Sequence, residues 1–206
     1  MMIFISQRYI PADTSDAKVK GGIKPIYRII IQLGLKGNCV FIPKSKQLNE
    51  ERIFIPPNHE GNIKIPKIDD DTSILKDSNG DCIGLLIPPS GLDLLNEIDK
   101  EKDFENTSLK NIESNLKKFI GIDLYKSISL SKIFNGYKLE LEVDNPDFCF
   151  KNKRLCRQYP CPICSAVLTA ISRSTISTEK RLWVKDVLHQ GNMVIFYIHF
   201  LEKEGD

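Results

Sequence analysis

The hydrophobic positions of the first hundred residues predict one helix followed by short strands. Residues 24–35 carry apolar side chains at helical spacing, with Pro25 at a suitable first position and Gly34 near the end. Three short apolar runs predict strands, because each stops at an Ile-Pro pair and proline cannot donate to a sheet; they cover residues 39–42, 53–55 and 83–87. The polar residues 58–81 predict a loop.

The middle of the chain predicts two helices, over residues 91–98 and 109–122. In the second helix, Leu109, Ile112 and Leu116 fall on one face and charged residues fall on the other. This pattern is typical of a helix that packs on a core with one side in water.

Two β-hairpins are predicted in the second half of the chain, on either side of a short helix over residues 162–174. Their strands cover residues 128–134, 137–143, 182–188 and 193–201. The first hairpin has Asn135-Gly136 at its turn, a dipeptide that favours tight two-residue turns. The last strand is apolar on both faces, which predicts a central position in its sheet.

Together these elements predict an α+β fold, with a short mixed sheet and helices. We expect an N-terminal α/β half over residues 1–106. We expect the C-terminal half, residues 107–206, to be a β-hairpin, a helix and a second β-hairpin around a cysteine cluster. The two halves are either separate units or one continuous domain.

Composition excludes several classes of protein. The 206 residues are 41% apolar and 27% charged with a net charge of +2, as in an ordinary globular protein. A nearly neutral chain does not favour nucleic-acid binding, and its one local basic patch contains few aromatic residues. No apolar run is long enough for a transmembrane segment, and the first residues do not form a signal peptide. We therefore expect a cytoplasmic protein, with peripheral membrane association left open.

Four closely spaced cysteines are the main chemical feature of the sequence. Six, four and two residues separate them, and they are Cys149, Cys156, Cys161 and Cys164. In a reducing compartment such a cluster predicts metal ligands or reactive thiols before disulfides. Cys161 and Cys164 are expected near the cap and in the first turn of a helix that begins at Pro162, where backbone N–H groups favour a thiolate.

The spacing leaves the chemistry of this cluster open. It matches neither a zinc ribbon nor the bacterial ferredoxin pattern, so the predicted metal is zinc or an iron–sulfur cluster. The alternatives are a redox-active Cys161/Cys164 pair and buried structural cysteines. His189 is the first substitute if one thiolate is missing. Basic residues in the same stretch would offset thiolate charge or form a solvated loop; they are Lys151, Lys153, Arg154 and Arg157.

The remaining cysteines and histidines carry weaker signals. Cys39 and Cys82 lie in predicted strands and are expected to be small core residues. His59, His189 and His199 are isolated from one another along the chain. The sequence has no nucleophile elbow, phosphate loop or dinucleotide fingerprint, so it identifies no catalytic residues. It favours a non-enzymatic role and leaves enzyme activity undecided.

Residues 34–43, 53–56 and 84–92 together resemble an uncharacterised archaeal family found in methanogens and halophiles. The resemblance implies an archaeal source but no activity. Members of that family often carry membrane helices ahead of the domain. In element order, the second half also resembles the vinyl-reductase-type small-molecule sensor domains, in which two β-hairpins and a helix surround cysteines.

These observations predict a non-enzymatic module that binds a protein partner or a small ligand and contains a four-cysteine metal site. One alternative is a redox protein that uses an iron–sulfur cluster or the Cys161/Cys164 thiols. Another is an interaction domain that docks on a membrane complex.

Overall fold

The structure is a computed structural model that describes ten segments of the chain. They are residues 23–45, 48–58, 73–76, 82–101, 103–105, 107–108, 111–120, 124–143, 153–175 and 180–202. Five helices and eight strands lie within these segments. In chain order they are α1 (23–32), β1 (Val40–Ile42), β2 (Arg52–Ile55), β3 (Ile74–Lys76), β4 (Cys82–Ile87), α2 (Leu92–Ile98), α3 (Ile112–Ile120), β5 (Tyr125–Ile133), β6 (Gly136–Val143), α4 (Lys153–Gln158), α5 (Pro162–Arg173), β7 (Arg181–Gln190) and β8 (Met193–Leu201).

All eight strands form one sheet in the order β3-β4-β2-β1-β7-β8-β6-β5. Neighbouring strands are antiparallel in every pair. The link between the two halves of the chain is the β1–β7 pair, in which Val40 lies opposite Trp183. The predicted α+β class is confirmed. The predicted boundary between residues 106 and 107 falls between α2 and α3, and both halves supply strands to this one sheet.

The C-terminal half has the predicted hairpin, helix, hairpin order, and β8 is central between β7 and β6. The prediction of Asn135-Gly136 as the first turn is wrong by one residue. Ile133 pairs with Gly136, so the turn residues are Phe134 and Asn135. Gly136 has φ +134°, and a Cβ atom there would lie 2.4 Å from the carbonyl oxygen of Ile198. The glycine is therefore needed where β6 approaches β8 closely.

Two elements arise where the sequence predicted loop. β3 lies inside the predicted polar loop over residues 58–81, and only its central residue, Leu75, is buried. A three-residue edge strand is too short to show a two-residue period. α4 lies among the basic residues of the cysteine segment and buries Cys156 and Gln158. Its burial pattern is too sparse to predict a helix.

The main hydrophobic core lies on the helix side of the sheet. All five helices contribute side chains to it, together with alternate strand residues such as Phe41 and Ile53. The opposite face carries a smaller cluster of strand and loop residues, including Val40 and Phe54. This arrangement follows from the two-residue period of the strands, which sends neighbouring residues to opposite faces.

Helix α5 is the central helix of this core, and it is buried from Ile163 to Arg173. The Tyr125 hydroxyl donates to the Ile163 carbonyl oxygen at 2.5 Å. At Gly91, which precedes α2, a Cβ atom would lie 2.2 Å from the carbonyl oxygen of Pro162. Close packing on several sides therefore fixes the start of α5.

The C-terminal end of α5 is held by a buried ion network. Arg173 Nε lies 2.7 Å from Glu51 Oε1, and Arg173 Nη1 lies 3.0 Å from Asp99 Oδ2. Arg173 Nη2 also donates to Asn96 Oδ1 at 2.8 Å. Burial opposes the guanidinium charge, but Glu51 and Asp99 outweigh it and raise the pKa of Arg173. This network joins α5 to α2 and to the residue before β2.

Candidate metal centre

Three of the four predicted ligands lie where α4 meets α5, which we call the cysteine corner and define as Cys156, Cys161 and Cys164. Cys156 lies on α4, and Cys161 and Cys164 lie at the start of α5. All three are fully buried, and no disulfide joins them to one another. Cys149, the fourth predicted ligand, lies outside the described residues.

The local structure at the start of α5 follows from its sequence. Cys161 is the N-cap residue, with extended dihedral angles of φ −61° and ψ 160°, and Pro162 begins the helix. The Ser165 N–H donates to the Cys161 carbonyl oxygen at 2.8 Å, which closes the first turn around Cys164. The predicted positions of both cysteines relative to the helix are confirmed.

His189, the predicted substitute ligand, lies beside Cys156. It lies near the end of β7 rather than in the predicted turn, and its Nε2 atom lies 3.7 Å from Cys156 Sγ. Zinc binds sulfur at about 2.3 Å and imidazole nitrogen at about 2.0–2.1 Å, so tetrahedral ligands of these two types lie about 3.6 Å apart. The two side chains form a hydrogen bond in the structure, and their separation is also that of two ligands on one zinc ion.

The described residues do not contain a complete metal site. Among them, no three histidine, cysteine or acidic side chains are grouped closely enough to hold an ion. The structure thus brings Cys156 and His189 together but does not bring both Cys161 and Cys164 into the same group. A site shared by all the predicted cysteines stays a prediction, since its fourth member, Cys149, is outside the described part of the chain.

Other buried polar groups surround the cysteine corner. The Tyr27 hydroxyl of α1 donates to the Tyr159 carbonyl oxygen at 2.7 Å. Burial raises the pKa of Tyr27 well above its ordinary value, and the nearby Cys156 and Cys161 raise it further. Cys39 is fully buried, as predicted, and burial raises the pKa of its thiol, with a smaller contribution from Cys156. The surroundings of both side chains exclude water and so favour their neutral forms.

The basic residues next to Cys156 have an acidic partner that the sequence did not reveal. Asp186 Oδ1 on β7 lies 3.3 Å from Arg157 Nη1 and 3.4 Å from Lys153 Nζ. Residues 153 and 157 are one helical turn apart, so one carboxylate can reach both side chains. The two ion pairs to Asp186 link α4, which carries Cys156, to β7, which carries His189.

Burial lowers the pKa of His189, and Lys153 lowers it further, while Cys161 opposes the shift. The neutral imidazole that results is the form that binds a metal.

Two buried polar atoms beside the cysteine corner have no hydrogen-bond partner within the described structure. They are Arg157 Nε, next to Cys156, and Ser165 Oγ, next to Cys164. Buried polar groups normally have a partner. Asn38, Ser172 and Trp183 also have buried side-chain atoms of this kind, so these two atoms do not distinguish the corner from the rest of the described structure.

The remaining predicted residues can be placed briefly. His199 lies on β8, as predicted, with its ring 5.8 Å from that of Trp183. His59 and the side chain of Cys82 lie outside the described residues. Within the described segments, no helix has the length and apolar character needed to cross a bilayer. Comparisons with protein-family models, with curated proteins and with solved structures find no match to this chain.

Proposed function

We propose that this protein is a non-enzymatic module that binds a protein partner or small ligand and is stabilised by one metal centre at the cysteine corner. The observation that carries the proposal is the 3.7 Å separation of Cys156 Sγ and His189 Nε2. Cys161, at the start of α5, is close enough to act on the charge of His189, and both Cys161 and Cys164 are buried. Thiolates and neutral imidazoles are the ligands that zinc prefers.

The ligands come from distant parts of the chain, so the metal would have a clear structural role. Cys156 and Cys161 lie on either side of the α4–α5 junction, and His189 lies on β7. Cys149 would add the segment that follows β6. An ion held by these residues would tie both C-terminal hairpins to α5. A structural zinc supplies on the order of 10 kcal/mol of folding free energy, which is enough to fix such a junction.

The burial of the corner favours a structural over a catalytic role. Cys156, Cys161 and Cys164 are fully buried, so a substrate has no direct access to their sulfurs. Ligand or partner binding would take place elsewhere on the module. The metal would hold the fold in its binding-competent form.

A redox role for the Cys161/Cys164 pair is the second candidate. The observation in its favour is the position of Cys161 at the cap and Cys164 in the first turn of α5, where a helix N-terminus stabilises a thiolate. Thiol exchange would require the start of α5 to become accessible to a partner thiol.

Metal analysis of protein purified without oxygen tests the proposal. Zinc at about one equivalent per chain with no visible absorption is expected for a single tetrahedral site. Iron and sulfide with visible absorption would instead support the iron–sulfur form of the site. Protein that contains no metal and whose thiols oxidise reversibly would reject the metal centre in favour of thiol redox chemistry.

A matched pair of variants locates the metal. Cys156→Ser removes a ligand that the proposal requires, and Cys39→Ser changes another fully buried cysteine outside the ligand set. The first variant should lose the metal, and the second should keep it. Retention of metal by Cys156→Ser would contradict the proposed site.

A further inference from the structure

We propose that the outer edge of β5 and the turn that follows it form an interface with a second copy of this chain. β5 is the last strand in the order of the sheet, and no strand among the described segments pairs with its outer side. It contains nine residues and no proline. A long edge strand of this kind is a template for further strand pairing. This interface is independent of the metal centre.

The Leu130 N–H shows which residues of β5 direct their backbone N–H groups to the outer edge. The Leu130 N–H points away from β6 and donates to Glu113 Oε1 of α3 at 3.4 Å. This is a long hydrogen bond between exposed groups, so a backbone carbonyl of a second strand can replace it at little cost. Every second N–H of a strand points the same way, so Ile128 and Lys132 also present theirs at the outer edge.

An antiparallel pair of β5 strands centred on Leu130 satisfies these groups. Leu130 then lies opposite Leu130 of the second copy, and Lys132 lies opposite Ile128. This register avoids two lysines in opposing positions, which would be destabilising. The half-buried side chain of Leu130 would pack against its equivalent, and the half-buried Ile128 would lie diagonally across from Leu130 of the second copy, which extends the main core across the twofold axis.

The charges near the edge are complementary in the same register. Glu113 lies beside Leu130, and Lys132 of the second copy would lie diagonally across from Leu130. Both charges are at the exposed margin of the interface. A Glu113–Lys132 pair would then form twice, once on each side of the axis, and would replace the Glu113 contact with the backbone. Such pairs fix the register of an interface more than they add affinity.

The hairpin tip, Phe134 and Asn135, supplies an apolar anchor for the interface. Phe134 is 99% exposed, which is more than any other large hydrophobic side chain in the described residues. Nine strand residues span about 30 Å. Antiparallel pairing therefore carries Phe134 of one copy along the full strand to the beginning of β5 in the other.

A cleft is present at the place where the tip would arrive. It lies between α2 and the start of β5 and has a volume of about 760 Å³. Three apolar residues, Leu94, Ile98 and Leu124, line it together with four charged ones, Glu97, Lys100, Glu101 and Lys118. The bulge between Tyr125 and Ser127 ends the regular register of β5 at this point, so strand pairing brings Phe134 to the first residues of β5 without fixing one opposite residue. Leu124, at that end of the strand, also lines the cleft. The same twofold operation that pairs the strands therefore brings the exposed aromatic ring close to the cleft.

Sedimentation equilibrium of the full chain tests the interface over a wide range of protein concentration. The wild type is expected to be a reversible dimer. Phe134→Asp removes the anchor and Leu130→Pro removes an outward N–H that β6 does not use, and each should weaken dimerisation at least about tenfold. Ile31→Asp changes another exposed apolar residue, on α1, and should leave the dimer intact. Circular dichroism checks that each variant folds.

Charge reversal gives a second arm that does not depend on core residues. Glu113→Lys and Lys132→Glu should each weaken the dimer, and the double variant should restore it because the pair is re-formed with opposite polarity. A monomeric wild type at the highest concentration would overturn the proposal. So would a dimer that is insensitive to both Phe134→Asp and Leu130→Pro, or a double variant no better than the single ones.

Discussion

The polar groups at the two ends of helix α5 differ in how completely they are paired within the protein. At the C-terminal end, Arg173 forms short, buried contacts with Glu51 and Asp99 and a partly buried one with Asn96. Near the N-terminal end, Cys156 of α4 contacts His189, while Ser165 Oγ of α5 has no hydrogen-bond partner in the described structure. The first end is complete without any further component. The second combines buried cysteines with a nearby imidazole, and the proposed metal centre is placed there for that reason.

This difference can be tested most strongly by removing the metal. A chelator, or the double change Cys161→Ser and Cys164→Ser, should lower the free energy of unfolding by several kcal/mol, up to on the order of 10 kcal/mol. Thermal unfolding with and without chelator measures the loss. An unfolding curve that does not respond to chelator would place the stabilising interactions of the corner in the protein alone.

Breaking the Arg173 network should also lower the free energy of unfolding, and this loss should not depend on metal. Arg173→Met removes the one cation of the network and leaves Glu51 and Asp99 buried without it, which we expect to cost about 3–5 kcal/mol. Arg28→Met, an exposed arginine on α1, is the matched control and should cost less than about 0.5 kcal/mol. Urea unfolding measures both. Equal stabilities for the two variants would show that the network contributes nothing.

A smaller change probes the packing of α1 over the cysteine corner. Tyr27→Phe removes the buried hydroxyl that donates to the Tyr159 carbonyl oxygen and should cost about 1–3 kcal/mol, because that carbonyl loses its donor. The loss should be similar in metal-loaded and metal-depleted protein if Tyr27 only supports the junction. A change in metal content on substitution would assign Tyr27 a role in the site itself.

The smallest expected effect concerns a histidine away from both ends of α5. Burial lowers the pKa of His199, and Lys185 lowers it further. The fold therefore favours the neutral ring, and the stability that this provides is present above the unfolded pKa of about 6.5 and is lost as the pH falls below it. His199→Gln should flatten the decline in melting temperature at acidic pH. The same slope in wild type and variant would contradict the assignment.

Local patterns in the sequence predicted most of the helices and strands. The alternation of Leu139, Leu141 and Val143 gives the buried face of β6, and Pro162 sets the start of α5. These features depend on neighbours in the chain, which a sequence displays directly. The short strand β3 and helix α4 bury too few residues to produce such a pattern.

Long-range relations could not be predicted in the same way. The β1–β7 pair that joins the two halves, the Arg173 network and the Cys156–His189 contact all link residues far apart in the sequence. Nothing local to Glu51 distinguishes it from a surface glutamate. His189 was named only as a substitute ligand, because an isolated histidine carries no sign of its spatial neighbours.

Native mass spectrometry of anaerobically purified protein tests the central claim most directly, since it weighs each chain with whatever it binds. The account predicts one metal centre for each chain, in the monomer and in the dimer alike, and no metal for Cys156→Ser. A wild-type protein of bare-chain mass that is fully folded would contradict it.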